Sequence, residues 1–392
     1  MRWGGRVNNH RGSAQSERGM ALLLEEIRIR NFKSLRDARV ELGKLNVLIG
    51  PNQSGKSNFV QALRLLRDLT DPGIVNPFAR HWGYGNVVWN HDEALNITYG
   101  LRFSGGLRYE VELTGAGGRL SVLREHLERD DEVSVERLGS DIRGIRAKPM
   151  DIIDRYTLIN DVVVLSLVKD KDLIGLEAET PALSMICDVN RFVRAIVVVH
   201  PNPHRAREPA PLKGPWTLEY DAGNLHAFLW HNFGRAAVSE EMLDVLQLLF
   251  PDIEAIWLEE TTDKRVHLVV QESGVKHPSE SISDGFYKIL AILATLELKP
   301  SLLVVEEIEN SIYPEAMEVL IDVLRRSEAQ VVLTTHSPVV LDLVEPEEVI
   351  LVYKEAGETK LARLREPERI KAKLEELGLG LGQSWLYGGL AP

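Results

Sequence analysis

Apolar residues fall in short blocks along this chain, and the spacing inside each block predicts the element it forms. Leu22–Ile29, Ala38–Leu42 and Leu45–Ile49 read as three short strands. Phe59, Val60, Leu63, Leu66 and Leu69 follow near helical spacing, with no Gly or Pro until Pro72. Leu95–Phe103, Leu107–Leu113 and Arg119–Leu123 alternate apolar and polar positions. Ser104-Gly105-Gly106 and Gly115-Ala116-Gly117-Gly118 break them, which predicts an antiparallel meander. Residues 125–155 are rich in charge (Glu125, Glu128, Arg129, Asp130, Asp131, Glu132) and read as an exposed insertion. Residues 156–250 mix helical patterns with a proline-rich loop from Pro201 to Pro215, and Ala255–Leu258 and Val266–Val270 return to strand. From Ser283 to Ser337 the pattern is helix, strand, helix, strand. Tandem repeats and long heptad runs are absent, so no extended coiled coil is expected.

Composition narrows the class. The chain has 392 residues, 44% hydrophobic and 27% charged, which suits one large or two modest globular domains. No apolar run approaches the length of a membrane span, so no membrane partner is expected. Residues 1–19 are polar and mildly basic without an apolar core, which excludes a secretory signal. They are expected to be a disordered or non-native extension, with Met20 as the start. The single Cys187 excludes an internal disulfide framework and a cysteine-built zinc site, and fits a reducing cytoplasm. A net charge of −12 gives no support to a dedicated duplex-DNA binder, while a local basic patch would still allow nucleic-acid contact.

The chemistry concentrates in Gly50-Pro51-Asn52-Gln53-Ser54-Gly55-Lys56-Ser57, which fits the phosphate-loop pattern G-x-x-x-x-G-K-[ST]. A β-type stretch precedes it and a helical one follows, the context the motif needs. Glycines let backbone N–H groups close around a phosphate, and the helix N-terminus adds partial positive charge. Lys56 is placed to reach the β- and γ-phosphates, and the Ser57 hydroxyl to bind Mg²⁺. Asn58 completes the candidate nucleotide-binding stretch.

Two further strands end in polar groups. Ser301–Val305 is a continuous apolar run of the kind buried parallel strands show, and it ends in Glu306-Glu307. Ligand-binding groups of open α/β sheets gather at strand carboxyl ends. One acid there can hold the Mg²⁺ shell, usually through water, and the other can polarise an attacking water. Val331–Thr335 ends in His336, which is placed either to contact a γ-phosphate or simply to cap or pack.

Taken together, these motifs resemble the ABC-type ATPase head of the RecF/SMC-like branch, close to the compact ATPases grouped with the overcoming-lysogenization-defect proteins. Ile27–Leu35 resembles that group's first strand and turn, and Gly50–Ser57 its Walker A. Ser281-Ile282-Ser283-Asp284-Gly285 resembles the signature motif, leading into a helix over Phe286–Leu296. Glu306-Glu307 with Glu309–Pro314 resembles Walker B running into the D-loop, and His336 falls at the switch histidine. Leu377–Gly389 resembles the closing segment, so the likeness runs from about Leu22 to the end.

The resemblance implies an α/β P-loop fold with a mixed central sheet, an antiparallel meander and a helical subdomain. It implies one domain over 20–392, divided into a Walker A lobe (20–123), an insertion and helical region (124–250) and a signature-to-C-terminus part (251–392). It implies ATP and Mg²⁺ as cofactors, with Ser57 and Glu306 on the metal and Glu307 and His336 in catalysis. It also implies a homodimer around two ATP molecules, in which Ser283, Asp284 and Gly285 reach the nucleotide held by the partner. Without Walker motifs, Ser283-Asp284-Gly285 would read as an ordinary helix N-cap.

The chain departs from the pattern in places. Glu306 stands where an aspartate is usual, and no Q-loop glutamine can be placed, since Gln53 lies in the loop and Gln61 on the following helix. Arg80 reads either as an arginine reaching the nucleotide or as a solvated surface side chain. About fifty residues follow His336, too few for the Toprim domain of nuclease relatives, so no built-in nuclease is expected. The leading expectation is an ATP-hydrolysing switch in DNA repair, DNA processing or phage defence. The second is a slow-turnover scaffold gating a separately encoded nuclease or toxin. A small-molecule kinase would have no use for the signature motif.

Overall fold

The computed structural model describes residues 22–71, 73–129, 133–138, 141–145, 163–167, 181–212 and 217–390. The expectation for residues 1–19 lies outside them. β1 (Leu24–Phe32) and β2 (Leu35–Glu41) form a hairpin, and β3 (Leu45–Ile49) leads into the helix Lys56–Asp68. β4 (Ile97–Phe103), β5 (Leu107–Thr114), β6 (Ser121–Arg129), β7 (Val133–Leu138) and β8 (Asp141–Ile145) then extend the hairpin. The seven-stranded antiparallel sheet has the order β2-β1-β4-β5-β6-β7-β8. β4 buries every second residue, as expected of a strand with one covered face.

The helix Pro181–Arg194 precedes β9 (Ile196–Val199). β10 (Ala210–Pro211), β11 (Ile253–Glu260), β12 (Arg265–Glu272) and β13 (Val275–Pro278) make a smaller antiparallel sheet. The helix Asp284–Glu297 then leads to β14 (Leu302–Val305), and the helix Pro314–Arg326 to β15 (Gln330–Thr335). β16 (Val349–Glu355) and β17 (Glu358–Arg363) follow.

The third sheet is the centre of the molecule. Its order is β17-β16-β3-β15-β14-β9, all parallel except β17. Both of its faces are covered. Leu48, Leu302, Val304 and Val332 join the core shared with the helix Lys56–Asp68 and the seven-stranded sheet. Val47, Leu303, Val305 and Leu333 join the core shared with the helix Asp284–Glu297. This double burial explains why β9 and β14 are wholly apolar and β3 and β15 mostly so.

One local expectation changes. Residues 125–129, 133–138 and 141–145 carry on the meander in β6, β7 and β8 rather than forming an exposed insertion, and the rest of the stretch 125–155 lies outside the described residues. Glu125 is 3% exposed there. Its carboxylate accepts from Tyr109 Oη at 2.7 Å, Arg137 Nη1 at 2.9 Å and the Val164 amide at 2.8 Å. Burial pushes its pKa up, with Arg137 and the hydrogen bonds opposing. Charge density on the strand is thus matched by partners rather than by solvent. The strand β9 is also hidden in the sequence, because it is short and pairs with the distant β14.

Glu125→Ala removes the carboxylate that pairs with the fully buried Arg137 guanidinium. Breaking one side of such a pair costs about 3–5 kcal/mol. Urea unfolding should show this as a clear drop in midpoint, and an unchanged midpoint would mean that the pair contributes nothing.

Candidate functional site

The parallel strands deliver the site. β3, β15, β14 and β9 lie side by side, so the residues just past their carboxyl ends are neighbours: the 50–55 loop, His336, Glu306-Glu307 and His200.

The loop is shaped by contacts that only glycine permits. A Cβ on Gly50 would lie 2.0 Å from the Val352 carbonyl oxygen of β16. Gly55 has φ +110, and a Cβ there would lie 1.9 Å from Thr359 Oγ1 of β17. Pro51, Asn52 and Gln53 are exposed, Gln53 with φ 65. Ser54 is buried, and its hydroxyl has no hydrogen-bond partner among the described residues.

A directed chain of hydrogen bonds ties the loop down. Asn58 Nδ2 donates to Ser34 Oγ at 2.6 Å, Ser34 Oγ lies 2.7 Å from Thr359 Oγ1, and Thr359 Oγ1 donates to the Ser54 carbonyl at 2.9 Å. The Asn58 side chain is thus spent on the scaffold.

The helix Lys56–Asp68 begins with Gly55 as its N-cap, no side-chain cap and no acid in its first turn. Its first N–H groups have no acceptor within the helix, which suits an anion. Lys56 Nζ donates to the carbonyls of Gly50 at 2.6 Å and Pro51 at 3.1 Å. Burial lowers its pKa, while Glu309, Glu307 and Glu306 pull it back up. The Ser57 hydroxyl is exposed at the helix entrance. These features fit the phosphates of a nucleotide.

Along the helix Lys56–Asp68 is a cleft of about 250 Å³ whose lining includes Lys33, Gln61, Arg64, Arg80, Tyr220 and Glu306. Gln61 accepts from Lys33 Nζ. Arg80 pairs with Asp68 and Asp71, each at 3.1 Å, so its charge is balanced at the cleft edge.

Glu306 is 4% exposed and accepts from the Tyr220 hydroxyl. Such a partner orients a ligating carboxylate. Glu307 has the left-handed φ of 47 and is held from several sides. Its amide donates to Thr334 Oγ1 at 3.0 Å, and its Oε2 accepts from Asn310 Nδ2 at 2.7 Å. Its carbonyl accepts from Lys288 Nζ at 2.5 Å. His336 is half exposed, with Nδ1 2.8 Å from Glu309 Oε1. The His336 amide also donates to Glu309 Oε1, at 2.9 Å. Among the described residues, no group of three or more His, Cys, Asp or Glu could hold a metal by itself.

The signature residues sit apart. Ser283 N-caps the helix Asp284–Glu297, its Oγ accepting from the Phe286 amide at 3.3 Å. Asp284 pairs with Arg207. A Cβ on Gly285 would meet the Ser311 carbonyl oxygen at 2.6 Å, so the motif packs on the loop after Glu309. Among the described residues, no hydrogen bond or ion pair joins 283–285 to 50–58.

Three site residues were missed from the sequence. Tyr220 and His200 come from loops with no local motif. Lys288 did carry a signal: it is the one charge in the run Phe286–Leu296. It is 2% exposed, and burial lowers its pKa to about 8. It ties the helix Asp284–Glu297 to Glu307.

Known proteins share this architecture. A structure titled as the SmcHead bound to the C-winged helix domain of ScpA matches with a TM-score of 0.52 at 15% identity, covering 88% of this chain and 99% of that one. An "ATP/GTP phosphatase" of Helicobacter pylori is 20% identical over 88% of this chain and 94% of its own length. The fold is that of an ABC-type P-loop ATPase head. Residues 45–342, from β3 to just past His336, match one family profile, and the chain belongs to that family, described as "AAA domain, putative AbiEii toxin, Type IV TA system".

Proposed function

We propose that this chain is an ATP-hydrolysing switch that closes as a homodimer around two Mg²⁺-ATP molecules. The observation that carries the reading is the convergence of the 50–58 loop, Glu306-Glu307 and His336 at one edge of the parallel sheet. In this reading Lys56 and the loop amides bind the β- and γ-phosphates. Ser57 and Glu306 hold Mg²⁺, Glu306 through water. Glu307 accepts a proton from the attacking water, and His336, braced by Glu309, faces the γ-phosphate.

Ser283, Asp284 and Gly285 serve the partner's nucleotide, which is in keeping with their separation from the loop of their own chain. The "ATP/GTP phosphatase" name of the Helicobacter pylori relative supports hydrolysis. The switch would work in DNA repair, DNA processing or phage defence. A second reading is favoured by the family description, which names a toxin and a toxin–antitoxin system. In it the chain turns over slowly and gates a separately encoded effector. ATPase rates with and without single- and double-stranded DNA, at stated salt, separate the two. Strong DNA stimulation supports processing, and indifference to DNA supports the scaffold.

Lys56→Ala should abolish tight ATP binding, as read by calorimetry. Wild-type affinity in that variant would remove the loop from the site. Glu307→Gln should keep ATP binding, slow hydrolysis about a hundredfold or more and trap a dimer visible by light scattering. If Glu306→Gln blocks turnover while Glu307→Gln is fully active, the two roles are reversed.

Ser283→Arg should bind ATP as a single subunit yet stay monomeric and inactive, because bulk and charge enter a surface that must pack against the partner. Hydrolysis at the wild-type rate by a monomer would reduce Ser283 to a helix cap.

A further inference from the structure

β9 places a second polar group against the proposed general base. The strand pairs with β14 in parallel register, Val199 opposite Val305, and the Glu306 amide donates to the Val199 carbonyl at 2.9 Å. The next residue of each strand end is therefore fixed beside its neighbour. His200 is held at both backbone and ring. Its amide donates to the Tyr220 carbonyl at 2.7 Å, and its imidazole stacks on the Tyr220 ring at a centroid distance of 5.9 Å and an angle of 30°. Arg64 covers the same ring at 4.8 Å. Held this way, His200 Nε2 lies 3.9 Å from Glu307 Oε2.

That separation is too long for a direct hydrogen bond, and it suits one bridging water about 2.8 Å from each atom. Solvent reaches the gap, since the two side chains are 33% and 43% exposed. Glu307 Oε2 already accepts from Asn310, which leaves a lone pair for that water.

We infer that His200 and Glu307 together hold the water that attacks the γ-phosphate, with His200 as the group that orients it. The inference rests on the reading of Glu307 as the base. The water donates one hydrogen to Glu307 and accepts from His200 Nε2–H, which aims its remaining lone pair. As that pair bonds to phosphorus, the bond to the β–γ bridging oxygen breaks and its electrons leave with ADP. The proton taken by Glu307 passes on to solvent, and His200 keeps its own. His200→Ala would leave the phosphate-binding loop intact and lose only the aim of the water.

The test is steady-state hydrolysis of Mg²⁺-ATP by the full chain, with ATP binding measured by calorimetry on the same preparations. His200→Ala should lower kcat by about tenfold to a hundredfold, the scale of a misaimed reactant, with KM and ATP affinity unchanged. His200→Gln, whose amide can donate from a similar place, should recover part of the loss. In a Glu307→Gln background, adding His200→Ala should slow turnover little further, because both act on one water.

Full activity of His200→Ala beside an inactive Glu307→Gln overturns the inference and leaves the base in place. So does an equal fold-loss in both backgrounds. Full activity of Glu307→Gln overturns the reading of the base itself, and this inference with it. A variant that no longer binds ATP would place His200 in nucleotide binding instead and would also overturn it.

Discussion

Parallel pairing of β3, β15, β14 and β9 is the constraint on which everything else depends. Adjacent strands lie about 4.8 Å apart, so the groups that follow their carboxyl ends meet although they are distant in sequence. Register decides which groups meet. Each of these strands is buried on both faces, so the apolar pattern alone tolerates a slip. The polar ends do not. Moving β14 by a residue along its neighbours would pull Glu306 into the apolar layer of Val305 and Leu333, where an unpaired carboxylate is costly. The charges of the site therefore help to define the sheet that displays them.

Polar ties around that sheet determine how precisely the groups are aimed. The run from Asn58 through Ser34 and Thr359 to Ser54 links the phosphate loop to the β1–β2 turn and to β17. Gly55 allows β17 to approach closely enough for this. On the other side of the sheet, Lys288 reaches the Glu307 carbonyl from the helix that Ser283 caps. Its buried amine has a pKa near 8, so it is still largely protonated at neutral pH and donates a charge-assisted bond. A rotation of that helix would displace Lys288 and with it the backbone of Glu307. The helix that Ser283 caps is thus joined directly to the backbone of Glu307.

Much of the fold and the centre of the site were legible in the sequence. The apolar runs before Gly50, Glu306 and His336, the glycine-rich loop and the alternating meander each state a local preference that the tertiary structure obeys. Legibility failed where a residue's meaning lay in a distant partner. Glu125 looked solvated because Arg137 and Tyr109, which satisfy it, are only brought near by strand pairing. β9 has only the residues Ile196–Val199, too short to stand out between a helix and a proline-rich loop, and its identity as the edge strand of the parallel sheet comes from pairing with β14.

By itself, then, the sequence determined the phosphate loop, the strand-end carboxylates and the histidine after β15, because each is encoded in a contiguous motif whose backbone preference is local. It also determined the alternation that makes one sheet two-faced and the continuous runs that bury another. Only the tertiary structure decided that Tyr220 orients Glu306, that Lys288 steadies Glu307 and that His200 stands opposite it. Those relations span from 19 to 107 residues of chain and exist only once non-adjacent strands and helices have docked. Local propensity cannot encode a distance between two side chains whose separation is set by the packing of everything between them.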